Sequence, residues 1–120
     1  KFRGRNFASQ HAFGTLGILE FRRNNFFNSM RLLIQSVNNG RYTPDVKLRT
    51  GNITDNLGMY LAMAMKKNGN INEYQRYQKA INEKLNKFDI RTWEDPSEID
   101  VIERIKLKAL QNEMNDLDEE

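Results

Sequence analysis

The run Leu57 to Met65 (LGMYLAMAM) carries no charge over nine consecutive residues, and it constrains the fold more than any other stretch. Helix formers dominate it, Asn52 to Asp55 stand before it as capping residues, and Lys66-Lys67-Asn68-Gly69 close it. The pattern predicts a helix from about Ile53 to Lys67. Its apolar residues surround the axis instead of forming one stripe, so neighbours must cover it on every side. A membrane span needs ~20 apolar residues, and this run is less than half that. The expectation is a central core helix. Three of the five methionines sit in it, where flexible side chains fill irregular gaps or make an adaptable binding surface.

Amphipathic patterns stand on both sides. Phe26, Met30, Leu33 and Val37 recur at helical spacing, with Phe27 and Ile34 beside them and Asn28, Arg31 and Gln35 opposite. Asn38-Asn39-Gly40 ends that helix, with Gly40 expected in the left-handed position. Upstream, Ser9-Gln10-His11 opens a weaker helix through Phe13, Leu16, Leu19 and Phe21. Gly14 and Gly17 lower its helix propensity, but they share a face that admits a close neighbour. After a turn at Asn68-Gly69-Asn70, Tyr74, Ile81, Leu85 and Phe88 mark a further helix flanked by Ile71 and Tyr77. Asn72, Gln75, Arg76, Lys79, Asn82 and Lys87 are left outside, and Glu73 and Glu83 read as part of its solvated charge.

Asp95-Pro96-Ser97-Glu98 opens the last helix, with an acid at the cap, proline in the first turn and Glu98 three residues on. Here Ile99, Ile102, Ile105 and Ala109 are expected to pack on the domain. Leu107, Leu110, Met114 and Leu117 form a narrow seam directed at a partner. Asp116 to Glu120 place negative charge at the unfavourable end of the helix dipole, where fraying is expected. Between the second and central helices, Val46, Leu48 and Thr50 alternate with Lys47 and Arg49, a short-strand pattern whose visible partner is Phe88 to Trp93. The predicted fold is all-α: a compact bundle of four or five helices with a minor two-stranded patch. A basic N-terminal arm (1–8) precedes a single helical domain (9–112), and an acidic tail (113–120) follows it.

Enzyme chemistry fares badly. The chain has one histidine, His11, and no cysteine, which removes thiolate nucleophiles and His- or Cys-rich metal sites. Capping explains Asp95 and Glu98, so Glu94, Asp95, Glu98 and Asp100 do not read as a cation site. Gly51 and Gly58 lack the lysine and flanking strand of a phosphate loop. No catalytic residue, cofactor, metal or small-molecule substrate is expected.

Charge is distributed unevenly. The net is only +3, yet residues 1–51 carry nine Lys or Arg against Glu20 and Asp45, while residues 94–120 carry ten acids against Arg104, Lys106 and Lys108. Arg3, Arg5, Arg22, Arg23, Arg31, Arg41, Lys47 and Arg49 are the candidate nucleic-acid contacts, mostly arginine, whose planar fork fits phosphate. Phe2 and Phe7 interleave with Arg3 and Arg5, a combination that stacks on bases and tracks a backbone. The helix pair from Ile53 to Lys87 has helix-turn-helix spacing with Asn72, Gln75, Arg76 and Lys79 on its second member, although such turns join most helix pairs. The acidic end can occupy the chain's own basic surface in competition with nucleic acid.

The first functional expectation is a non-enzymatic helical assembly or adaptor protein working through protein–protein contacts or self-association, with nucleic acid as a further partner. The alternative is a sequence-tolerant DNA- or RNA-binding module using the N-terminal arginines. A third reading is a small regulator or inhibitor that docks through its last helix. Fifteen asparagines match what AT-rich genomes encode, as in many phages and other viruses. With no signal-peptide pattern and no membrane run, an intracellular or intravirion location is expected.

Overall fold

The computed structural model describes residues 7–49, 56–87 and 97–118, and these hold five helices. They are α1 (Phe7–Arg22), α2 (Phe26–Val37), α3 (Asn56–Lys67), α4 (Ile71–Lys87) and α5 (Glu98–Asp118). The all-α bundle predicted from periodicity is what forms. The arm residues 1–6, the helix-entry residues 52–55 and the segment 88–96 lie outside the described residues.

α3 is the hub. Every residue from Gly58 to Met65 is buried, and the helix touches each of the other four. This is the physical outcome of an all-round apolar helix: no face tolerates water, so each is covered by a neighbour's stripe. α3 ends through paired bonds, Gly69 N–H to the Lys66 carbonyl (2.9 Å) and Asn70 N–H to the Met65 carbonyl (2.8 Å). Gly69 supplies the left-handed residue that this ending demands. α1 ends the same way with Asn24 left-handed, bonded to Phe21, while the Asn25 amide reaches back to Glu20. At the end of α2 the left-handed residue is Asn39 (φ 55°), not the expected Gly40; asparagine tolerates this conformation better than other side-chain-bearing residues.

α1 and α2 form an antiparallel pair at close range. The Ser29 hydroxyl donates to the Gly17 carbonyl and the Ser36 hydroxyl to the Gln10 carbonyl, both at 2.7 Å. A methyl group added at Gly17 would lie 2.6 Å from Leu33 Cγ, and one at Gly14 would lie 2.8 Å from Leu57 Cδ2. The two glycines therefore do what their spacing predicts. Gly17→Val is expected to cost about 1–3 kcal/mol by overpacking. Gly40→Ala, whose new carbon would meet nothing nearer than 3.8 Å, should stay within about 0.5 kcal/mol. Urea unfolding of both variants checks the contrast.

The connection after α2 contains no strand among the described residues, and the strand partner expected at Phe88 to Trp93 lies outside them. Side chains, not a second strand, satisfy its backbone. The Leu48 N–H donates to Glu73 Oε1 at 2.6 Å, the Leu48 carbonyl accepts from Arg76, and Arg76 Nη2 pairs with Glu73 at 2.9 Å. Asn38 grips the same stretch, donating to the Lys47 carbonyl (2.8 Å) and accepting from the Arg49 N–H (3.3 Å). Leu48 is thereby locked into the core. Glu73, which its polarity assigned to solvent, is only 7% exposed.

Burial by itself raises the Glu73 carboxyl's pKa. The hydrogen bond from Arg76, the Leu48 amide and the charges of Arg76 and Lys47 outweigh it, holding the group below the ordinary glutamate value. A depressed carboxyl stabilises the fold above its unfolded pKa of ~4.3, and that stability disappears as pH falls through the lower folded value. The urea midpoint is therefore expected to hold from about pH 7 to 5 and to fall below about pH 4. Glu73→Gln should lower it at neutral pH and flatten the acid limb.

α5 reverses the sequence expectation about its two faces. Leu107, Leu110 and Met114 are buried in this chain's own core, and Leu117 packs against it. Ile99, Ile102 and Ile105 are exposed, Ile99 at 78%. The seam assigned to a partner is occupied internally. Both sets are apolar at helical spacing, and only the half of α5 that lies alongside α3 and α4 is covered. At the helix start, Asp100 N–H donates to the Ser97 hydroxyl at 3.1 Å, so Ser97 caps α5, while Asp95, expected in that role, lies outside the described residues.

α5 continues to Asp118, and tertiary partners contact its acidic end. Asp118 pairs with Lys66, whose ammonium sits 4.6 Å from the Tyr74 ring centroid. The Lys66 hydrogen bond holds the Asp118 carboxyl below its ordinary value despite some burial, with the Lys66 charge and Tyr74 helping. Tyr74 is pushed up to about 12 by burial first, then by the charge of Asp118 and its hydrogen bond to it.

Candidate functional site

Among the described residues, the expected basic side chains are divided between two clefts and the open surface. Arg3 and Arg5 lie outside the described residues. Arg23 is exposed at the end of α1, where a cation complements the helix dipole. Of the remaining five, Arg31 and Arg41 line one cleft, Arg22 lines a second, and Lys47 and Arg49 line neither.

The first cleft, about 280 Å³, is lined by Phe27, Arg31, Gln35, Arg41 and Tyr42. Phe27, Arg31 and Gln35 are spaced four apart and so line one outer face of α2. Arg41 and Tyr42 form the opposite wall because the left-handed Asn39 turns the chain back beside the helix. A turn at 43–46 closes that wall, with Val46 N–H bonded to the Thr43 carbonyl at 3.0 Å. The Asn38 and Glu73–Arg76 grips then fix its far end. The Phe27 and Tyr42 rings meet edge to face, 5.5 Å apart at 79°. Phe27 is nevertheless 51% exposed. Lys47 and Arg49 are exposed farther along the same connection and do not line the cleft.

This cleft offers two guanidinium forks, one side-chain amide and a half-exposed aromatic ring, and its described lining holds no carboxylate. Arginine forks bind phosphate oxygens with paired donors. An exposed ring stacks on any base, since every base has a π face. Gln35 has both a donor and an acceptor for a base edge.

The second cleft, about 310 Å³, is lined by Phe21, Arg22, Asn24, Phe26, Tyr60, Lys67 and Leu117. Phe21 stacks edge-on against both Phe26 (5.1 Å) and Tyr60 (5.4 Å). Arg22 donates to the Tyr60 hydroxyl at 2.8 Å, and that hydroxyl donates to Glu113 at 3.2 Å.

The sequence reading did not single out Phe27, Tyr42, Asn24 or Lys67 as site residues. Phe27 was grouped with the core stripe of α2; its register with Arg31 and Gln35 was the signal that it stands outside. Nothing in sequence order brings Lys67 to Phe26.

The helix-turn-helix reading keeps Asn72, Gln75 and Lys79 exposed on α4, but Arg76 is committed to Glu73 and Leu48. His11 is exposed on α1. Among the described residues, no three metal-ligating side chains gather, and no helix is long and apolar enough to cross a membrane. No protein family, curated protein or solved structure matches this chain.

Proposed function

We propose that this protein is a small, non-enzymatic helical module that binds single-stranded DNA or RNA with little sequence preference. One observation carries the reading: Phe27, half exposed and edge to face with Tyr42, shares a cleft with Arg31 and Arg41. A soluble basic surface has no need of an exposed ring among its arginines, whereas a strand needs both together. A cleft of about 280 Å³ with a half-exposed ring suits unpaired bases, which splay out and stack, better than a duplex whose bases are stacked already. The assembly-adaptor alternative has less support, because Leu107, Leu110, Met114 and Leu117 are spent on the core.

Fluorescence anisotropy with oligo-dT and oligo-U probes, stepped through salt, tests the reading. Arg31→Ala combined with Arg41→Ala is expected to weaken binding and to lower the salt slope by roughly 1.4, two single-strand phosphate contacts at ~0.7 each. Phe27→Ala should lose about 1–3 kcal/mol with little change in slope. Affinities and slopes matching the unaltered chain would remove this cleft from the account.

A further inference from the structure

We infer that the second cleft, between α1, α2, α3 and α5, is a phosphate-ester site in which Arg22 and Lys67 hold the anion. Two features separate it from the Phe27 cleft. Its rings are not available for stacking: the Arg22 guanidinium carbon lies 5.7 Å from the Tyr60 ring centroid and the Lys67 ammonium 5.4 Å from that of Phe26. Its cations are instead fixed in place by those rings. A cation resting on an aromatic face loses part of its hydration and is pre-positioned for an anion.

Each lining group has a distinct part. Tyr60 gives its proton to Glu113 and accepts one Arg22 N–H, which orients the guanidinium and leaves its other donors for a ligand. Glu113 is the one described carboxylate in this network; it sits behind the Tyr60 hydroxyl and does not line the cleft. Lys67, at the end of α3, adds a compact charge; among the described residues neither it nor Arg22 is in an ion pair. Asn24, left-handed at the end of α1, also lines the cleft, and its side-chain amide is a further donor. The Asn68 side chain ties the Phe26 carbonyl to the end of α3, bonding it at 3.0 Å and the Ala64 carbonyl at 2.8 Å. The cation pair therefore rests on a braced junction of two helices. Leu117 and Phe21 make the rest of the wall apolar.

This chemistry selects a phosphate carrying an organic group. Arginine's fork matches two oxygens of one phosphate, and lysine meets a third as a point charge. At about 310 Å³ the cleft exceeds what a bare oxyanion fills and lies at the small end of ordinary ligand pockets. The ester can be a free nucleotide or a phosphate of a bound strand. The inference does not rest on the single-strand reading, since the two clefts share no lining residue.

Titration of the full ¹⁵N-labelled chain with inorganic phosphate, thymidine 5′-monophosphate and oligo-dT, followed by NMR, distinguishes these. Saturable shifts centred on Arg22, Asn24 and Lys67 are expected with the monophosphate. Arg22→Gln and Lys67→Gln should each weaken it at least about tenfold. Both positions are solvent-exposed, and the second substitution leaves the Arg22–Tyr60 bond intact, so loss of binding there is not loss of fold. Inorganic phosphate should bind the same residues more weakly than the ester. The combined Phe27→Ala, Arg31→Ala and Arg41→Ala chain should bind the monophosphate as the unaltered chain does, even though its affinity for oligo-dT falls. Shifts that never saturate, that spread over the basic surface, or that survive both Gln variants would overturn the inference. Oligo-dT binding that persists in the Gln variants, with no monophosphate binding anywhere, would retain the Phe27 cleft and discard this one.

Discussion

Leu61→Asp is expected to leave the chain unfolded at 25 °C. Leu61 is fully buried at the centre of α3, the helix that touches all four others. The substitution removes a buried leucine, which costs about 2–5 kcal/mol in other cores. It also places a carboxylate inside a cluster of buried apolar side chains. That group must stay charged without a partner or take up a proton, and either course adds several kcal/mol. The sum rivals the ~5–15 kcal/mol that holds a whole domain together. Leu61→Met, which conserves volume, should cost less than about 1.5 kcal/mol and separates charge from shape. Circular dichroism and urea titration read both. A cooperative, helical Leu61→Asp chain would mean that the core lies elsewhere.

Ending the chain at Asn112, and so removing the residues read from sequence as an acidic tail, is the second large effect. Such a chain loses Met114, which is 2% exposed, and the partly buried Leu117. It also loses the Glu113 bond to Tyr60 and the Asp118 contacts with Lys66 and Tyr74. Met114 alone should contribute about 2–5 kcal/mol, and the surface ion pair about 0.2–1 kcal/mol. At roughly 3–6 °C per kcal/mol for a chain of this size, the melting temperature is expected to fall by about 10–20 °C. Asp118→Asn isolates the charged contact and should cost under about 1 kcal/mol. A truncated chain that melts with the full-length protein would show that α5 ends, energetically, before Asn112.

These expectations also show which parts of the molecule the sequence makes legible. α2 runs from Phe26 to Val37, where its stripe begins and ends, because a strong amphipathic period has one way to face the core. α3 was legible for the opposite reason, having no polar face to leave out. The close α1–α2 approach could be read from Gly14 and Gly17.

The misreadings share a cause: hydropathy states how apolar a residue is, not whether a neighbour reaches it. Ile99 is as apolar as Leu107, yet one lies beyond the cover of α3 and α4 and the other beneath it. Glu73 is charged, yet it lies on the Tyr77 and Ile81 face of α4 and is bonded there by Leu48 and Arg76. Of the candidate site, the arginines were visible as a charge bias. Their division between two clefts was not, because it depends on Asn39 turning Arg41 beside Arg31 and on α3 bringing Lys67 to Phe26.

The cleft of Phe27, Arg31, Gln35, Arg41 and Tyr42 is proposed to take a single strand. The most direct measurement is a ¹H–¹⁵N NMR titration of the full chain with a short oligo-dT, run beside a duplex of equal length. The account predicts saturable shifts concentrated on the outer face of α2 and on Arg41 and Tyr42, stronger for the single strand. Shifts absent at low salt, equal for duplex and single strand, or centred on the exposed α4 residues Asn72, Gln75 and Lys79 would contradict it.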